Sequence, residues 1–220
     1  MNKRTSIRCI KEPFCGLSHG AGVVLSVVAL IVLMVEARGR PWHMAGFAVY
    51  GVSLVALYTA STLYHSLFVD SRQYKLLQRL DHIAIFLLIA GTYTPVCLVT
   101  LRGVWGWSLL GAVWSMALFG IGSSLFWKNT PEWLRVTLCV VMGWLAMVAY
   151  EPLRMALGPA GFAWLVGGGI VYSIGTIIFA TDWPHLWPGK FSAHDLWHIF
   201  VLGGSTCHFI MMLRFVAATA

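Results

Sequence analysis

Charged residues are scarce in this sequence. Asp, Glu, Lys and Arg make up 10% of the 220 residues, and 59% of the residues are hydrophobic. A soluble domain has about 25% charged residues. The composition therefore excludes an ordinary soluble globular protein and indicates a chain that buries most of its surface in lipid.

The sequence also lacks a cysteine framework. Its five cysteines show no CxxC motif and no paired spacing, and three of them lie within apolar runs. Free cysteine in such surroundings behaves as a small hydrophobe. A disulfide scaffold is therefore not expected among Cys9, Cys15, Cys97, Cys139 and Cys207.

Long apolar runs are abundant, and seven of them reach the roughly 20 residues that a helix needs to cross a bilayer. They follow a short basic segment at residues 1–16. The first run extends to about Met34 without a small-residue cleavage site, so it predicts an uncleaved span. Open sheets cannot span lipid, and we therefore predict an all-α, seven-transmembrane helix bundle at residues 17–216, with spans at about 17–36, 44–66, 81–101, 105–126, 134–151, 160–180 and 194–216.

The net charge of +7 comes from Lys and Arg residues in short clusters between these runs. Such clusters set the topology of membrane proteins, and nucleic acid is not needed to explain them. Ten lie at the N-terminus and in the loops after spans two, four and six: Lys3, Arg4, Arg8, Lys11, Arg72, Lys75, Arg79, Lys128, Arg135 and Lys190. Five lie on the other side: Arg38, Arg40, Arg102, Arg154 and Arg214. This asymmetry predicts a cytoplasmic N-terminus and an external C-terminus.

Ionisable residues gather where three of the predicted spans meet the cytoplasmic side. Span two ends at His65, span three begins near Asp81, and span seven begins with His194 and His198. Two histidines four residues apart share one helix face, about 6 Å apart along the axis. Ionisable residues inside a membrane segment are costly and usually have a partner, so we expect these side chains to meet at one depth.

The residues predict a zinc site formed by His65, His194 and His198, with water in the fourth position. Three protein ligands plus water is the catalytic pattern, and zinc suits imidazole ligands. Asp81 would act as general base, and Ser61, one turn from His65, would assist a ligand or a developing oxyanion. Simpler roles stay open for each residue. The histidines could bind backbone carbonyls or lipid phosphates, and Asp81 could be the N-cap of span three or pair with Arg79.

At these residues the sequence resembles the bacterial hemolysin III family, within the progestin and adipoQ receptor superfamily. The resemblance implies a seven-helix bundle with zinc near the cytoplasmic face. The family's SxxxH motif falls on Ser61 and His65, its span-three aspartate on Asp81, and its HxxxH pair on His194 and His198. The matching segments, in chain order, are Ser18-His19-Gly20, Ser61-Thr62-Leu63-Tyr64-His65, Arg79-Leu80-Asp81-His82, Ala90-Gly91-Thr92-Tyr93-Thr94-Pro95, Met142-Gly143-Trp144-Leu145 and the stretch from His194 to Phe209.

Two positions depart from the family pattern. Cys15 stands where bacterial members often have Asn, and Asp195 stands inside HxxxH, where an apolar or neutral residue is expected. The first leaves the role of the N-terminal cluster around Glu12 and His19 open. The second would change the electrostatics of the site without removing a ligand.

Relatives in the superfamily include the adiponectin receptors, and the alkaline ceramidases are similar. The resemblance therefore implies a multi-pass protein of the cell (inner) membrane that uses zinc-activated water to hydrolyse lipid amide or ester bonds in membrane lipid homeostasis. The expected partners are membrane lipids and a lipid-like substrate, without nucleic acid, and a homo-oligomer is left open. A non-enzymatic sensor of membrane state, stabilised by zinc, is the first alternative. A cytolytic activity is the second, with little support because no secretion signal and no charged stripe along a span are found.

Overall fold

The computed structural model describes residues 10–127, 130–187 and 191–219. Within these ranges the chain is helical, apart from one isolated β-bridge between Trp187 and Phe191. The predicted all-α class is therefore confirmed for this part of the chain. Residues 1–9 of the predicted basic segment, together with Lys128 and Lys190, lie outside it. The seven α-helices are α1 (Pro13–Glu36), α2 (Pro41–Ser66), α3 (Ser71–Pro95), α4 (Gly103–Phe126), α5 (Glu132–Trp144), α6 (Tyr150–Thr181) and α7 (Ala193–Met211).

Among the described residues, six helical segments are long and apolar enough to cross a membrane. Four are α1, α2, α4 and the segment Ser71–Leu101, in which α3 continues beyond Pro95 through a π-helical stretch at Val96–Leu101. The fifth is Glu132–Thr181, which joins α5 and α6 through a 3₁₀ turn at Leu145–Ala149, and the sixth is Ala193–Val216. The membrane character of the chain is thus confirmed, while the count of seven crossings stays a prediction.

The segment Glu132–Thr181 is folded back on itself. A straight helix of its 50 residues would be about 75 Å long, more than twice the thickness of the hydrocarbon core. However, Trp144 Nε1 donates a hydrogen bond to Ser173 Oγ over 2.9 Å, although these residues would be about 43 Å apart on a straight helix. The chain reverses at Gly158, whose φ of 68° and ψ of 170° are not helical and belong to a region essentially limited to glycine.

The third helix begins ten residues before the predicted membrane span because Asp70 caps it. The Asp70 carboxylate accepts hydrogen bonds from the backbone N–H groups of Arg72 and Gln73, in a capping box. Asp81 therefore lies inside α3, and its alternative interpretation as an N-cap is wrong. The first turns of α3 are basic and precede the apolar run from which the span was predicted, so the helix is longer at its N-terminal end than the span.

The buried core runs along the inner faces of the helices and contains one polar bridge that stabilises the helix break after α5. The Tyr93 hydroxyl donates to the carbonyl of Met142 over 2.7 Å and accepts from the N–H of Ala146 over 2.8 Å. The Met142 carbonyl also accepts from the backbone N–H of Leu145, so the Tyr93 hydroxyl adds a second partner at the change from α-helix to 3₁₀ turn. The break therefore has its own hydrogen-bond partner on α3.

Candidate metal centre

Four potential metal donors meet at one end of the helix bundle. Each of Cys15, His65, His194 and His198 offers one donor atom, and the four atoms lie within 4.8 Å of one another. They come from the first turn of α1, the last turn of α2 and the first two turns of α7. The three histidines predicted from the sequence are thus brought together, and Cys15 joins them.

The HxxxH pair has the spacing of two ligands on one ion. Nε2 of His194 and Nε2 of His198 lie 3.2 Å apart. Two nitrogens at Zn–N distances of about 2.0–2.1 Å in a tetrahedral site are about 3.4 Å apart. Because α7 is regular here, the four-residue spacing alone places both rings on one face.

The third imidazole is oriented by a carboxylate. His65 Nδ1 contacts a carboxylate oxygen of Glu12, and this contact holds the pKa of Glu12 at about 2, well below its usual value, against the opposing effect of partial burial. An ionised carboxylate only accepts hydrogen bonds, so Nδ1 carries the proton and Nε2 keeps its lone pair for a metal. Carboxylate–histidine pairs of this kind fix the ring and increase its basicity as a ligand.

Glu12 and Cys15 reach the site because the start of α1 is docked onto the end of α2. The backbone N–H groups of Lys11 and Glu12 donate to the carbonyls of Ser66 and His65, over 3.2 Å and 2.9 Å. From the sequence alone the role of this N-terminal cluster stays open. No periodic pattern predicts these two backbone hydrogen bonds, and the position of Glu12 depends on them.

Asp195 has the capping role that its position beside His194 allows. Its Oδ2 accepts hydrogen bonds from the backbone N–H and the hydroxyl of Ser192, each over 2.8 Å, in the capping box of α7. Its Oδ1 accepts a hydrogen bond from the thiol of Cys15 over 3.1 Å. Asp195 therefore contacts one of the four donors, the thiol of Cys15, and through it connects α7 to α1.

The two predicted catalytic residues lie beside the donors. Ser61 and Asp81 line the same cavity as His65, His194 and His198, and the Ser61 side chain interacts with the Asp81 carboxyl. Ser61 is 2% exposed and lies one helical turn from His65, as the spacing predicts. The cavity has a volume of about 210 Å³, and its wall continues through mainly apolar side chains, among them Leu57, Ile85, Val96, Cys139, Met147 and Val201.

The remaining histidines in the described residues occupy other positions. His82 lines the cavity but is not one of the four donors. His208, ten residues after His198, contacts the carbonyl of Leu165 through Nε2, over 3.2 Å. His43 is in the first turn of α2, at the opposite end of that helix from His65, and its Nε2 contacts the carbonyl of Thr219. His19 is buried with its ring stacked on that of His198, with centroids 3.8 Å apart.

The donor chemistry fits a transition metal. Imidazole and thiolate suit zinc, and neither favours the hard ions Ca²⁺ and Mg²⁺. The described cysteines Cys15, Cys97, Cys139 and Cys207 are all free, so Cys15 keeps a sulfur that can bind a metal. Three imidazoles, one of them oriented by a carboxylate, and a thiol together form a set that can hold one ion.

Comparisons with known proteins agree with the motifs. The family model described as "Haemolysin-III related" matches residues 7–209. The chain is 45% identical to "Hemolysin-3" of Bacillus cereus over 216 residues, which cover 96% of this chain and 94% of the relative. It is 42% identical to "Hemolysin-3 homolog" of Bacillus subtilis (strain 168) over 207 residues, covering 93% and 94%.

A more distant likeness supports the wider superfamily. The chain is 24% identical to "Adiponectin receptor protein" of Drosophila melanogaster over 184 residues, which cover 74% of this chain and 40% of that relative. The family match spans nearly all of the described helices and includes the segments that carry Cys15, His65, His194 and His198. This chain therefore belongs to the hemolysin III family of multi-pass membrane proteins.

Proposed function

We propose that this protein binds zinc in the membrane and hydrolyses an amide or ester bond of a lipid-like substrate. The observation that carries the proposal is the cavity, because His65, His194 and His198 share it with Asp81 and Ser61 while its other walls are mainly apolar. A polar end beside an apolar wall matches the chemistry of a lipid, whose polar linkage would reach the donors while its chain contacts the apolar side chains.

Each polar residue then has a separate task. Asp81 accepts the proton of the attacking water and returns it to the leaving group. Ser61 donates a hydrogen bond to the substrate oxygen as negative charge develops there. Glu12 keeps His65 in the tautomer that presents Nε2. Zinc, when bound, supplies Lewis acidity that polarises a carbonyl group and favours deprotonation of water.

The test compares wild type with Asp81→Asn in lipid bilayers, with zinc content and turnover measured on the same samples. The substrates are a long-chain N-acyl amide and the matching acyl ester. Wild type purified without added metal should contain stoichiometric zinc. The variant should keep its zinc while turnover falls about 10²- to 10⁴-fold, the usual contribution of a general base.

Asp70→Asn is a matched control on the same helix, since Asn caps a helix about as well as Asp. It should leave both readouts unchanged. Absence of zinc from wild type would refute the proposed centre. Zinc without turnover of either substrate, both in wild type and in a Cys15→Ser variant that keeps its zinc, would refute the hydrolase and leave the second candidate.

The second candidate is a non-enzymatic protein in which zinc holds the helices together. The thiol of Cys15 favours it, because four protein ligands are the pattern of structural zinc sites. In that case zinc binding would survive in Asp81→Asn, and neither variant nor wild type would hydrolyse a lipid. Asp81 would then serve only to pair with Ser61 inside the bundle.

We also propose that the chain crosses the membrane seven times, with the N-terminus cytoplasmic and the C-terminus external. The reversal at Gly158 supports this count, because it divides Glu132–Thr181 into two arms that each exceed the roughly 30 Å of the hydrocarbon core. The excess of Lys and Arg at the N-terminus and in alternate loops supports the orientation. Under this topology the metal donors lie near the cytoplasmic face.

Reporter cysteines test the topology. Arg154→Cys near the reversal and Lys75→Cys on α3 are both at exposed positions, and they would be made with Cys139 and Cys207 replaced by Ser. A membrane-impermeant maleimide added to right-side-out vesicles should label only the first, and the second only after the vesicles are opened. Equal labelling of both in closed vesicles would contradict seven crossings in this orientation.

A further inference from the structure

Cys15 is buried, and its sulfur lies close to all three histidines of the candidate metal centre. Its side chain is 2% exposed, and its sulfur lies within 4.8 Å of the donor nitrogen of each of the three histidines. We propose that Cys15 is the fourth protein ligand of the metal and closes the centre at rest. This inference rests on the proposed metal site and adds its regulation.

The backbone fixes the position of the thiol before any metal binds. The N–H groups of Lys11 and Glu12 are bonded to the last carbonyls of α2. Gly16, next to Cys15, lies so close to Ser66 that a Cβ at this position would collide with that side chain. The start of α1 therefore lies directly against the end of α2, where His65 is, and Cys15 cannot shift away from the donors without breaking these contacts.

The opposite side of Cys15 is held by α7. The thiol donates its proton in a hydrogen bond to Asp195 Oδ1, one residue from His194. To bind a metal, Cys15 would have to give up its thiol proton, and the Asp195 oxygen that accepts this hydrogen bond is placed to take it. Cys15 would then offer a negatively charged thiolate beside three neutral imidazoles.

His19 is the other buried donor near the ion, and its geometry is less suitable. Its ring lies 3.8 Å from that of His198 at an interplanar angle of 31°, and its edge meets Tyr58 with centroids 5.0 Å apart. Neither nitrogen of His19 belongs to the group of donor atoms that lie within 4.8 Å of one another. The geometry therefore favours Cys15 as the fourth ligand.

Four protein ligands leave no coordination position for water or a substrate carbonyl, and this separates closed zinc sites from catalytic ones. With Cys15 as a ligand, hydrolysis at this centre would consequently require the Cys15 side chain to move out of the fourth position. Cys15 then acts as a brake, which means that it inhibits hydrolysis by occupying the fourth coordination position. Replacing its thiol should leave this position permanently open to water. The predicted set of three histidines plus water describes the open state, and the closed state contains Cys15.

X-ray absorption at the zinc edge of the full-length, zinc-loaded protein tests the assignment. Wild type should show one sulfur at about 2.3 Å together with nitrogen at about 2.0–2.1 Å. In Cys15→Ser the sulfur should be lost and only nitrogen and oxygen should remain. A chelator should also remove zinc from this variant at least about 10-fold faster, in the range seen when a ligand's support is lost.

Two further variants make the result specific. Cys207→Ser, on the same helix as the HxxxH pair, should keep the sulfur signal. A variant in which Cys9, Cys97, Cys139 and Cys207 are all replaced by Ser should keep it as well, and this arm decides the assignment even if Cys15→Ser does not fold. Sulfur that persists in Cys15→Ser would overturn the proposal.

The outcomes separate the two levels of inference. Zinc bound by nitrogen and oxygen alone in wild type would overturn the role of Cys15 and leave the proposed centre intact. Failure of wild type to retain any zinc would overturn both. If Cys15 is the brake, Cys15→Ser should also turn over the lipid amide faster than wild type at equal zinc content.

Discussion

The thiol of Cys15 donates a hydrogen bond to Asp195 Oδ1 over 3.1 Å, across 180 residues of sequence. These are the two positions at which the sequence departs from the pattern of the family it resembles. Each departure is unexplained when taken alone. Together they form a donor–acceptor pair between α1 and α7, so the acidic residue inside HxxxH has a partner of its own.

A double-mutant cycle should show that the pair acts as a unit. We expect Cys15→Ala and Asp195→Ala to change the stability of the metal-free protein non-additively, with a coupling of about 0.5–3 kcal/mol, because the residues share one hydrogen bond. The loss of the α7 capping box occurs on both sides of the cycle and cancels. Thermal unfolding of the four proteins in detergent provides the measurement. The pair Cys207→Ala and Asp195→Ala should be additive, and additivity of both pairs would show that the contact contributes nothing.

His194→Ala should abolish stoichiometric zinc. It removes one of two Nε2 atoms that lie 3.2 Å apart, and the remaining imidazoles cannot complete a tetrahedral site. Metal analysis of protein purified without added zinc is the measurement. His208→Ala on the same helix is the comparison, because His208 contacts the Leu165 carbonyl and not the donors. Equal zinc in both variants would place the metal elsewhere.

Glu12→Gln should weaken zinc binding about 10- to 100-fold, the usual effect of losing a carboxylate that orients a ligand histidine. The amide can still accept a hydrogen bond from His65 Nδ1, but it carries no charge to increase the basicity of the ring. Competition with a chelator of known affinity measures the change. Glu36→Gln, at the other end of α1, should leave the affinity unchanged, and wild-type affinity in Glu12→Gln would mean that the contact does not support the metal.

Ser61→Ala should keep its zinc and lose about 10²- to 10³-fold in turnover, as when one hydrogen bond to a developing oxyanion is removed. The substitution removes one buried hydroxyl beside Asp81 and changes no metal donor. Zinc content and lipid-amide hydrolysis on one sample measure the two effects separately. Loss of zinc would instead give Ser61 a structural task at the end of α2.

Gly158→Ala should lower the stability of the fold by about 1–3 kcal/mol, the cost of forcing a side chain into this glycine-only backbone region. The added methyl group would meet nothing within 4 Å, so the cost is conformational and does not come from a clash. The midpoint of thermal unfolding in detergent should fall accordingly. Gly167→Ala, also in α6 and also without neighbours within 4 Å, should not destabilise, because alanine is favoured over glycine inside a helix.

The three histidines of the site could be predicted because their proximity follows mainly from helix geometry. A four-residue spacing places His194 and His198 on one face of any regular helix, and the predicted order of the spans puts the end of α2 and the start of α7 on the same side of the membrane. The structure places His65 with them, and it places Ser61 and Asp81 on the wall of the adjoining cavity.

Glu12 and Cys15 could not be predicted in the same way. Their positions depend on backbone hydrogen bonds between the residues before α1 and the last turn of α2, and such contacts leave no periodic pattern in the sequence. Hydropathy does not predict the start of α3 either. Hydropathy marks where a helix becomes apolar, whereas Asp70 determines where it begins. The reversal at Gly158 agrees with the two spans predicted at 134–151 and 160–180. The helical structure, however, continues on both sides up to Gly158 and leaves no loop between them.

The donors come from the first, second and last helices of the chain. During synthesis Cys15 and His65 are added to the chain well before His194 and His198, which belong to α7. The centre therefore cannot assemble during synthesis until α7 has been inserted beside α1. A product that stops before α7 would lack His194 and His198, which are two of the four donors.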